Sequence, residues 1–457
     1  MLALQAAPLV LLLALLASGR VGPLVACGLA MAAALPAMGL MVEEALPGFL
    51  WRESLRAGWL ALQPIAVMSG GLLFHAAVQR DVEAQARPAT AERVFAVTLP
   101  LGTFLESVTG FAVGAVFALV ALRRMGVPGA VAVALSMQAL VLVPWGGLGP
   151  GSALGAALVG LPAQPLLALA AWPNAAWLLG LGPVLWWLQG LAGVAPDWRE
   201  RAVQAGLLGL IGVGIIGWHF VVPFEMVGVL ATGPVAVWAL WRADPPRGLR
   251  PALAASWPYL LLTACLLAAR AVPDAPALRP FKGLPGFGLT HVAVVLWVVS
   301  LTLLALRGRS AWGALGRARR PAAAMLLYVL LGRWLAGSGI AAALAGGLVS
   351  GKGAVAAFAL VPMGFVAGFV TGSNVGANAS LMPVQAALGE ALGWGPLVAP
   401  ALHNFSGAAG AGMAIAGTAM LCALGGEGTR PAEVWRLLLP SMALVMLIGT
   451  GAMLWWR

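Results

Sequence analysis

Apolar residues run along this chain in continuous stretches, near residues 2–18, 21–41, 58–79, 94–122, 127–146, 150–170, 174–193, 203–241, 257–272, 287–306, 321–335, 338–351, 353–389, 396–424 and 435–456. Clusters of Pro, Gly and Arg separate them. A spanning helix takes about 20 apolar residues, so the pattern predicts about 12–14 membrane segments. The runs lack period-two alternation, which excludes a transmembrane β-barrel. Residues 203–241 are too long for one crossing, and "HFVVPFE" (219–225) supplies a break. The opening "MLALQAAPLVLLLALLASGR" resembles a signal peptide but lacks a basic leader, and apolar sequence follows at once, so it reads as the first membrane helix. No soluble domain or long linker stands out.

Composition agrees with lipid as the solvent. Of 457 residues 61% are hydrophobic and 9% charged, with a mean hydropathy of +0.95. The net charge of +11 comes almost wholly from arginine, since Lys282 and Lys352 are the only lysines. The arginines sit between apolar runs, at Arg123-Arg124, from Arg242 to Arg250, and most densely in "RGRSAWGALGRARR" (307–320). That distribution fits cytoplasmic loops of a multi-pass protein of the cytoplasmic (inner) membrane, not a nucleic-acid surface. Glu43-Glu44 and the pair Asp81 and Glu83 have arginines nearby and read as solvated loops. The three cysteines are scattered in apolar sequence and read as small core residues. HExxH, CxxC, Walker and GxSxG motifs are absent, so the sequence points to no enzyme, no cofactor and no metal.

One stretch recurs. "LPLGTFLESVTGFAVGA" (99–115) aligned without gaps on "VPMGFVAGFVTGSNVGA" (361–377) gives eight identities in 17 positions, including Pro100/Pro362, Gly102/Gly364, Thr109/Thr371, Gly110/Gly372 and Gly114/Gly376. The sequence therefore reads as two repeats, 1–200 and 257–457, joined by a connecting membrane segment and cytoplasmic loop at 201–256. Internal repeats of transporters are commonly inverted, with the substrate site at their interface.

Between Arg93 and Arg123 lie 29 residues without lysine or arginine, too many for one straight crossing of a ~30 Å core and too few for two. A re-entrant helical hairpin fits, with its tip at Thr109-Gly110. Such a tip is tolerated where it is buried in protein or lines a watery cavity. The second copy puts a tip at Thr371, Gly372, Ser373 and Asn374, with Ser373 or Asn374 capping a helix that starts near Val375. A helix N-terminus offers unpaired N–H groups to an anion. Glu106 lies inside the first span, and an intramembrane carboxylate is a functional candidate, here for carrying a proton or a coupled cation. The alternative is a structural carboxylate bonded to backbone N–H groups. Asn374 and Asn378 have a similar alternative, satisfying backbone at the break.

A second polar cluster, "HNFSGAAGAG" (403–412), holds His403, Asn404 and Ser406. "QALVLVPWGGLGPGS" (138–152) occupies the comparable place in the first half and breaks its helix at Pro144 and Gly146-Gly147. Broken helices opposite the hairpins would complete a central site. His403 reads equally as a satisfied interior histidine or a proton relay. Arg333 and Lys352 read first as interfacial or topology-setting cations, and second as anion partners.

At these residues the sequence resembles the L-lactate permease family of bacterial carboxylate symporters. "FLESVTGFAVG" (104–114) looks like the family's F-L-E-G-x-x-G-F-G, with Ser107 and Ala112 where glycines are usual. "TGSNVGANA" (371–379) is similar to T-G-S-D-T-S-S-N-A, with Asn374 in place of aspartate. "NFSGAAGAGM" (404–413) is similar to N-S-S-G-G-x-x-G-K-M, with Gly412 in place of lysine. The resemblance implies proton-coupled uptake of lactate, glycolate or a related 2-hydroxy monocarboxylate, and kinship with a wider ion-transporter superfamily of hairpin-and-broken-helix fold.

The expectation is an all-α polytopic membrane protein of two inverted repeats, each with a re-entrant hairpin and a broken helix, working as a secondary transporter. Substrate would be held by Thr109, Gly110, Thr371, Gly372, Ser373, Asn374, Asn378, Asn404 and Ser406. The N–H groups of Gly110, Gly372, Ser373 and Asn374 would face its carboxylate, and Glu106 and His403 would handle the proton. The partners are a small organic anion, H⁺ and the lipid bilayer; assembly into a homo-oligomer stays open. The rivals are sodium coupling through Asn374, Asn378 and tip carbonyls, a membrane enzyme acting on lipid-linked substrates, and a passive channel.

Overall fold

The computed structural model describes residues 1–79, 87–245, 248–272, 275–426 and 428–456. Its helices follow the apolar runs. The first series is α1 (Leu2–Ala17), α2 (Pro23–Met41), α3 (Leu46–Val78), α4 (Ala91–Thr98), α5 (Pro100–Thr109), α6 (Val113–Arg124), α7 (Gly129–Met137), α8 (Pro150–Leu158) and α9 (Ala163–Leu191). Two helices follow, α10 (Trp198–Gly217) and α11 (Phe224–Ala243), separated at the expected "HFVVPFE" break. The last series is α12 (Leu249–Arg270), α13 (Val292–Leu306), α14 (Trp312–Gly337), α15 (Ile340–Lys352), α16 (Leu360–Thr371), α17 (Asn374–Ala391), α18 (Val398–Gly412), α19 (Ile415–Gly425) and α20 (Pro431–Trp456). Between α12 and α13 a two-residue antiparallel ribbon pairs β1 (Ala277–Leu278) with β2 (Phe287–Gly288), Ala277 opposite Gly288.

Among the described residues eight helical segments are long and apolar enough to cross a membrane: Pro23–Met41, Leu46–Val78, Ala163–Leu191, Trp198–Phe220, Phe224–Ala243, Ile340–Thr371, Val398–Gly425 and Pro431–Trp456. Shorter apolar helices stand at Leu2–Ala17, Gly129–Leu140 and Val292–Leu306. The chain is a multi-pass helical membrane protein. Tryptophans mark its edges: Trp198 and Trp218 bracket α10, about 30 Å apart at helical rise, and both are exposed. Arg199, Arg201 and Arg242 share the Trp198 end, where Arg242 bonds Glu200 at 2.6 Å. Chain direction then puts the start of α11 and the end of α12 at the opposite end, where Glu225 meets Arg270 at 2.5 Å.

Packing crosses between the two series. α3 packs on α14, and each also packs on the helix preceding the other, α3 on α13 and α14 on α2. α8 packs on α17, and α6 on α19. One large apolar core therefore mixes α4, α6, α7 and α9–α11 with α18–α20, while another joins α1–α3 and α8 to α14–α17. Glycine permits the closest of these contacts. A Cβ on Gly114 would run into the Gly102 carbonyl between α5 and α6, and a Cβ on Gly368 into the Gly407 carbonyl between α16 and α18.

Glu44 is exposed and bonds Arg52 at 2.5 Å, which holds its carboxyl below the usual carboxylate range, so this loop is solvated as expected. Asp81 and Glu83 lie outside the described residues. Arg333 differs from its expected interfacial role, because its guanidinium turns inward and bonds buried Glu53 on α3. Arg56 adds a second contact to Glu53 at 2.9 Å. Lys352 is exposed at the end of α15. Breaking a buried pair leaves an uncompensated charge. Glu53→Ala should lower stability by about 3 kcal/mol, read as a lower unfolding midpoint in detergent. The double variant Glu53→Ala/Arg333→Met should recover part of that loss, and a double variant no better than the single would show that the pair is not what binds α3 to α14. Gly368→Ala, which forces α16 off α18, should cost about 1–3 kcal/mol in the same assay.

Candidate functional site

Two helices end and restart across a short turn, and each restart faces a gap in a second helix of its own series. α5 ends at Thr109. Gly110 (φ 68°), Phe111 (φ 59°) and Ala112 (φ 59°) then turn the chain before α6. Two left-handed non-glycine residues in succession are disfavoured by about 1–2 kcal/mol each, so something must hold them. That is Glu106: its carboxylate accepts from Ala112 N–H at 3.2 Å and Gly114 N–H at 3.3 Å. The structural alternative for this residue is thus what the geometry contains. Glu106 is 5% exposed, and its two carboxyl oxygens cap the α6 N-terminus.

The turn rests on the interruption between α7 and α8. There 3₁₀ turns at Gln138–Leu140 and Val143–Leu148 give way at Gly146 (ψ 135°) and Gly147 (φ 52°), as the sequence led one to expect. A Cβ on Gly110 would stand 3.1 Å from the Gly147 Cα. Ser152, one turn into α8, closes the interruption by donating to the Pro144 carbonyl at 2.7 Å.

The second turn is built alike with different chemistry. α16 ends at Thr371, Gly372 is left-handed (φ 69°), and Ser373 caps α17 by accepting from Gly376 N–H. Gly372 faces Ala414 and Ala416, at the gap between α18 and α19. That gap falls at Met413-Ala414, so the polar cluster 403–412 lies within an uninterrupted helix. Gly407 and Gly410 are used for close packing on α16, and Gly412 for packing on Leu140, instead of for a break. Among the described residues no carboxylate caps α17. The Asn374 and Val375 N–H groups have no partner among the described residues.

Between the two gaps lies a buried amide network joining both series. Asn404 Oδ1 accepts from Asn378 Nδ2 (3.0 Å) and Asn374 Nδ2 (3.4 Å) and lies 3.1 Å from Ser152 Oγ, whose one proton it shares with the Pro144 carbonyl. Asn374 Nδ2 also reaches Ser152 Oγ at 3.2 Å, and Asn378 Nδ2 donates to the Gly151 carbonyl at 2.9 Å. Asn374 Oδ1, Asn378 Oδ1 and Asn404 Nδ2 are buried without partners, which leaves two acceptors and one donor for a ligand. His403 is buried with Nε2 3.1 Å from the Ala377 carbonyl, and its Nδ1 is unpartnered. Ser152 has no motif around it that marks a site. Its signal was the Pro-Gly-Ser just past the glycine break, a position that starts a helix inside the protein.

Other expected residues are present but differently employed. The N–H groups of Gly110 and Gly372 donate to the Glu106 and Gly368 carbonyls at 2.8 and 2.9 Å, finishing their own helices, so they do not face a substrate. The hydroxyls of Thr109, Thr371 and Ser406 donate to carbonyls four residues back, at 2.6, 2.7 and 2.9 Å, and offer lone pairs only. No group of three or more His, Cys, Asp or Glu that could hold a metal occurs among the described residues. The role of Glu106 in holding the turn is testable with Phe111→Cys, at a 40% exposed position. Glu106→Gln keeps one acceptor oxygen and should raise the labelling rate there about tenfold, the effect of one lost hydrogen bond of ~1.4 kcal/mol. An unchanged rate would mean that Glu106 does not hold the turn.

No family model and no curated protein matches the sequence. Among solved structures, the chain is similar to MtrF of Neisseria gonorrhoeae, described as one of a class of antimetabolite efflux pumps, with a TM-score of 0.51 and 13% identity over 95% of each chain. It is also similar to the YdaH transporter of Alcanivorax borkumensis, with a TM-score of 0.45 and 17% identity over 93% of this chain and 89% of that one. At such identities the likeness to MtrF shows a shared fold, that of a helical membrane protein.

Proposed function

We propose that this protein is a secondary active transporter that carries a small 2-hydroxy monocarboxylate with a proton across the cytoplasmic membrane. Residues 1–200 and 257–457 act as two inverted repeats, 201–256 connects them, and the hairpins α5–α6 and α16–α17 are re-entrant. One observation carries the reading: the amide network of Ser152, Asn374, Asn378 and Asn404 is buried between interrupted helices of both series and holds unpartnered donors and acceptors. Non-helical backbone at membrane depth needs protein or watery surroundings, and a transport site supplies both in turn.

The two hairpin turns differ by one charge. In the alignment of the repeats, the position of Glu106 is taken by Gly368. The first turn therefore carries its own carboxylate, while the α17 N-terminus offers unpaired Asn374 and Val375 N–H groups beside the asparagines. That is the place for a substrate carboxylate. Gly151 keeps the approach narrow but open, since a Cβ there would come within 3.0 Å of Asn374 Nδ2 and Val375 N. Glu106 then carries the coupling proton, and symport of one proton with a monocarboxylate is electroneutral. The partnerless Asn374 and Asn378 oxygens favour a second reading, in which the coupled ion is Na⁺ held by amide and tip carbonyl oxygens.

Uptake of radiolabelled L-lactate into proteoliposomes separates these readings. A pH gradient alone should drive accumulation, glycolate should compete, and Glu106→Gln should abolish the pH-driven component. Accumulation driven by sodium alone would move the coupling to the asparagines. Equilibration without accumulation under either gradient would mean a passive pore, and absence of uptake would reject lactate as the substrate.

A further inference from the structure

α8 has two working faces. Gly151 and Gly155 lie against Asn374 and Asn378, so one face closes the amide network. The other face, with Leu148, Pro150, Ala153 and Leu154 around the helix start, forms the floor of a separate cavity of about 470 Å³. Its walls come from α3, the start of α11, the end of α12 and the ribbon. Trp59 and Gln63 of α3 hold the ribbon over it by donating to the Pro285 carbonyl at 2.9 and 3.2 Å. The cavity lies at the end opposite Arg199, Arg201 and Arg242. By the charge rule that is the outer side.

Walls this apolar make the few polar groups informative. Arg270 bonds Glu225 Oε1 at 2.5 Å, and this is its one hydrogen bond among the described residues. A guanidinium has five N–H donors, so most of the fork is unused. Glu225 Oε2 is buried with no partner. His291 accepts from Ala293 N–H through Nδ1, which puts its own proton on Nε2 as a further donor on the cavity wall. The set is one cationic fork, one neutral donor and one orphaned carboxylate oxygen. A plain anion would satisfy the first two and leave the last unpaired; an acid that also bears a hydroxyl satisfies all three.

We propose that this cavity is an outer docking site for a small hydroxy acid, with Arg270 and His291 taking the carboxylate and Glu225 Oε2 accepting from the hydroxyl. The site stands one helix outside the amide network, and α8 is the partition between them. This rests on the transport reading above for the class of acid and extends it to residues that reading does not use. The Glu225–Arg270 pair ties α11 to α12, and an acid that shares Arg270 loads the outer side before α8 yields.

Ala157→Cys places a thiol on the cavity wall, in a Cys265→Ser background because Cys27 and Cys422 are buried. A small methanethiosulfonate reagent should label it in detergent, and L-lactate should slow the reaction. Propionate, which lacks the hydroxyl, should need about tenfold higher concentration for equal protection, the effect of one missing hydrogen bond. Arg270→Gln should remove protection by both acids, and Glu225→Ala should remove the difference between them. Undiminished protection in Arg270→Gln, or none in the parent, overturns the proposal; so does failure of both Ala157→Cys and Gln63→Cys to react. Asn404→Leu should stop uptake and leave protection intact. Protection without uptake in the parent would keep this site and reject the transport reading, whereas uptake without protection would do the reverse.

Discussion

Unpaired backbone is the constraint on which the rest of this structure depends. A chain in lipid can interrupt a helix only where protein replaces the lost hydrogen bonds. Here four interruptions, after Thr109, near Gly146, after Thr371 and at Met413, are brought together inside the molecule. Each turn faces the gap in a second helix of its own series, and glycine or alanine at the contact lets the backbones approach. The exchange of α8 and α6 across the series follows, because an interruption can be buried on all sides only if the other series supplies one of the walls.

The same constraint separates the two turns chemically. At the first, the Glu106 carboxyl oxygens accept from the N-terminal N–H groups of α6, and the strained Phe111-Ala112 pair is the consequence of bringing α6 round to them. At the second, Gly368 is pressed against Gly407 and leaves no room for such a side chain, so α17 has a serine cap and asparagines but no charge. Related sequence thus yields one self-satisfied turn and one unsatisfied turn.

Much of this was legible in the chain. Continuous apolar runs fixed the helical membrane class, since hydropathy needs no partner to be read. The breaks at 109–110, 146–147, 219–225 and 371–374 were legible because glycine, proline and capping serine act locally. The break at 413–414 was not, because the glycines at 407, 410 and 412 look like a flexible segment and prove to be contact residues. Ser152 escaped notice for the same kind of reason: a serine after Pro-Gly carries no sign of the asparagines 222 and 252 residues away that it meets.

Sequence by itself determined the solvent, the helices, the recurrence of the hairpin motif and the identity of Glu106 as the carboxylate inside it. Those are properties of local composition and spacing. The tertiary structure decided who meets whom: that Arg333 turns inward to Glu53, that the Gly110 and Gly372 amides finish their own helices, and that Asn404 gathers Ser152, Asn374 and Asn378. Hydrogen bonds and ion pairs act over a few ångströms, and which groups come that close is set by packing of helices far apart in the chain.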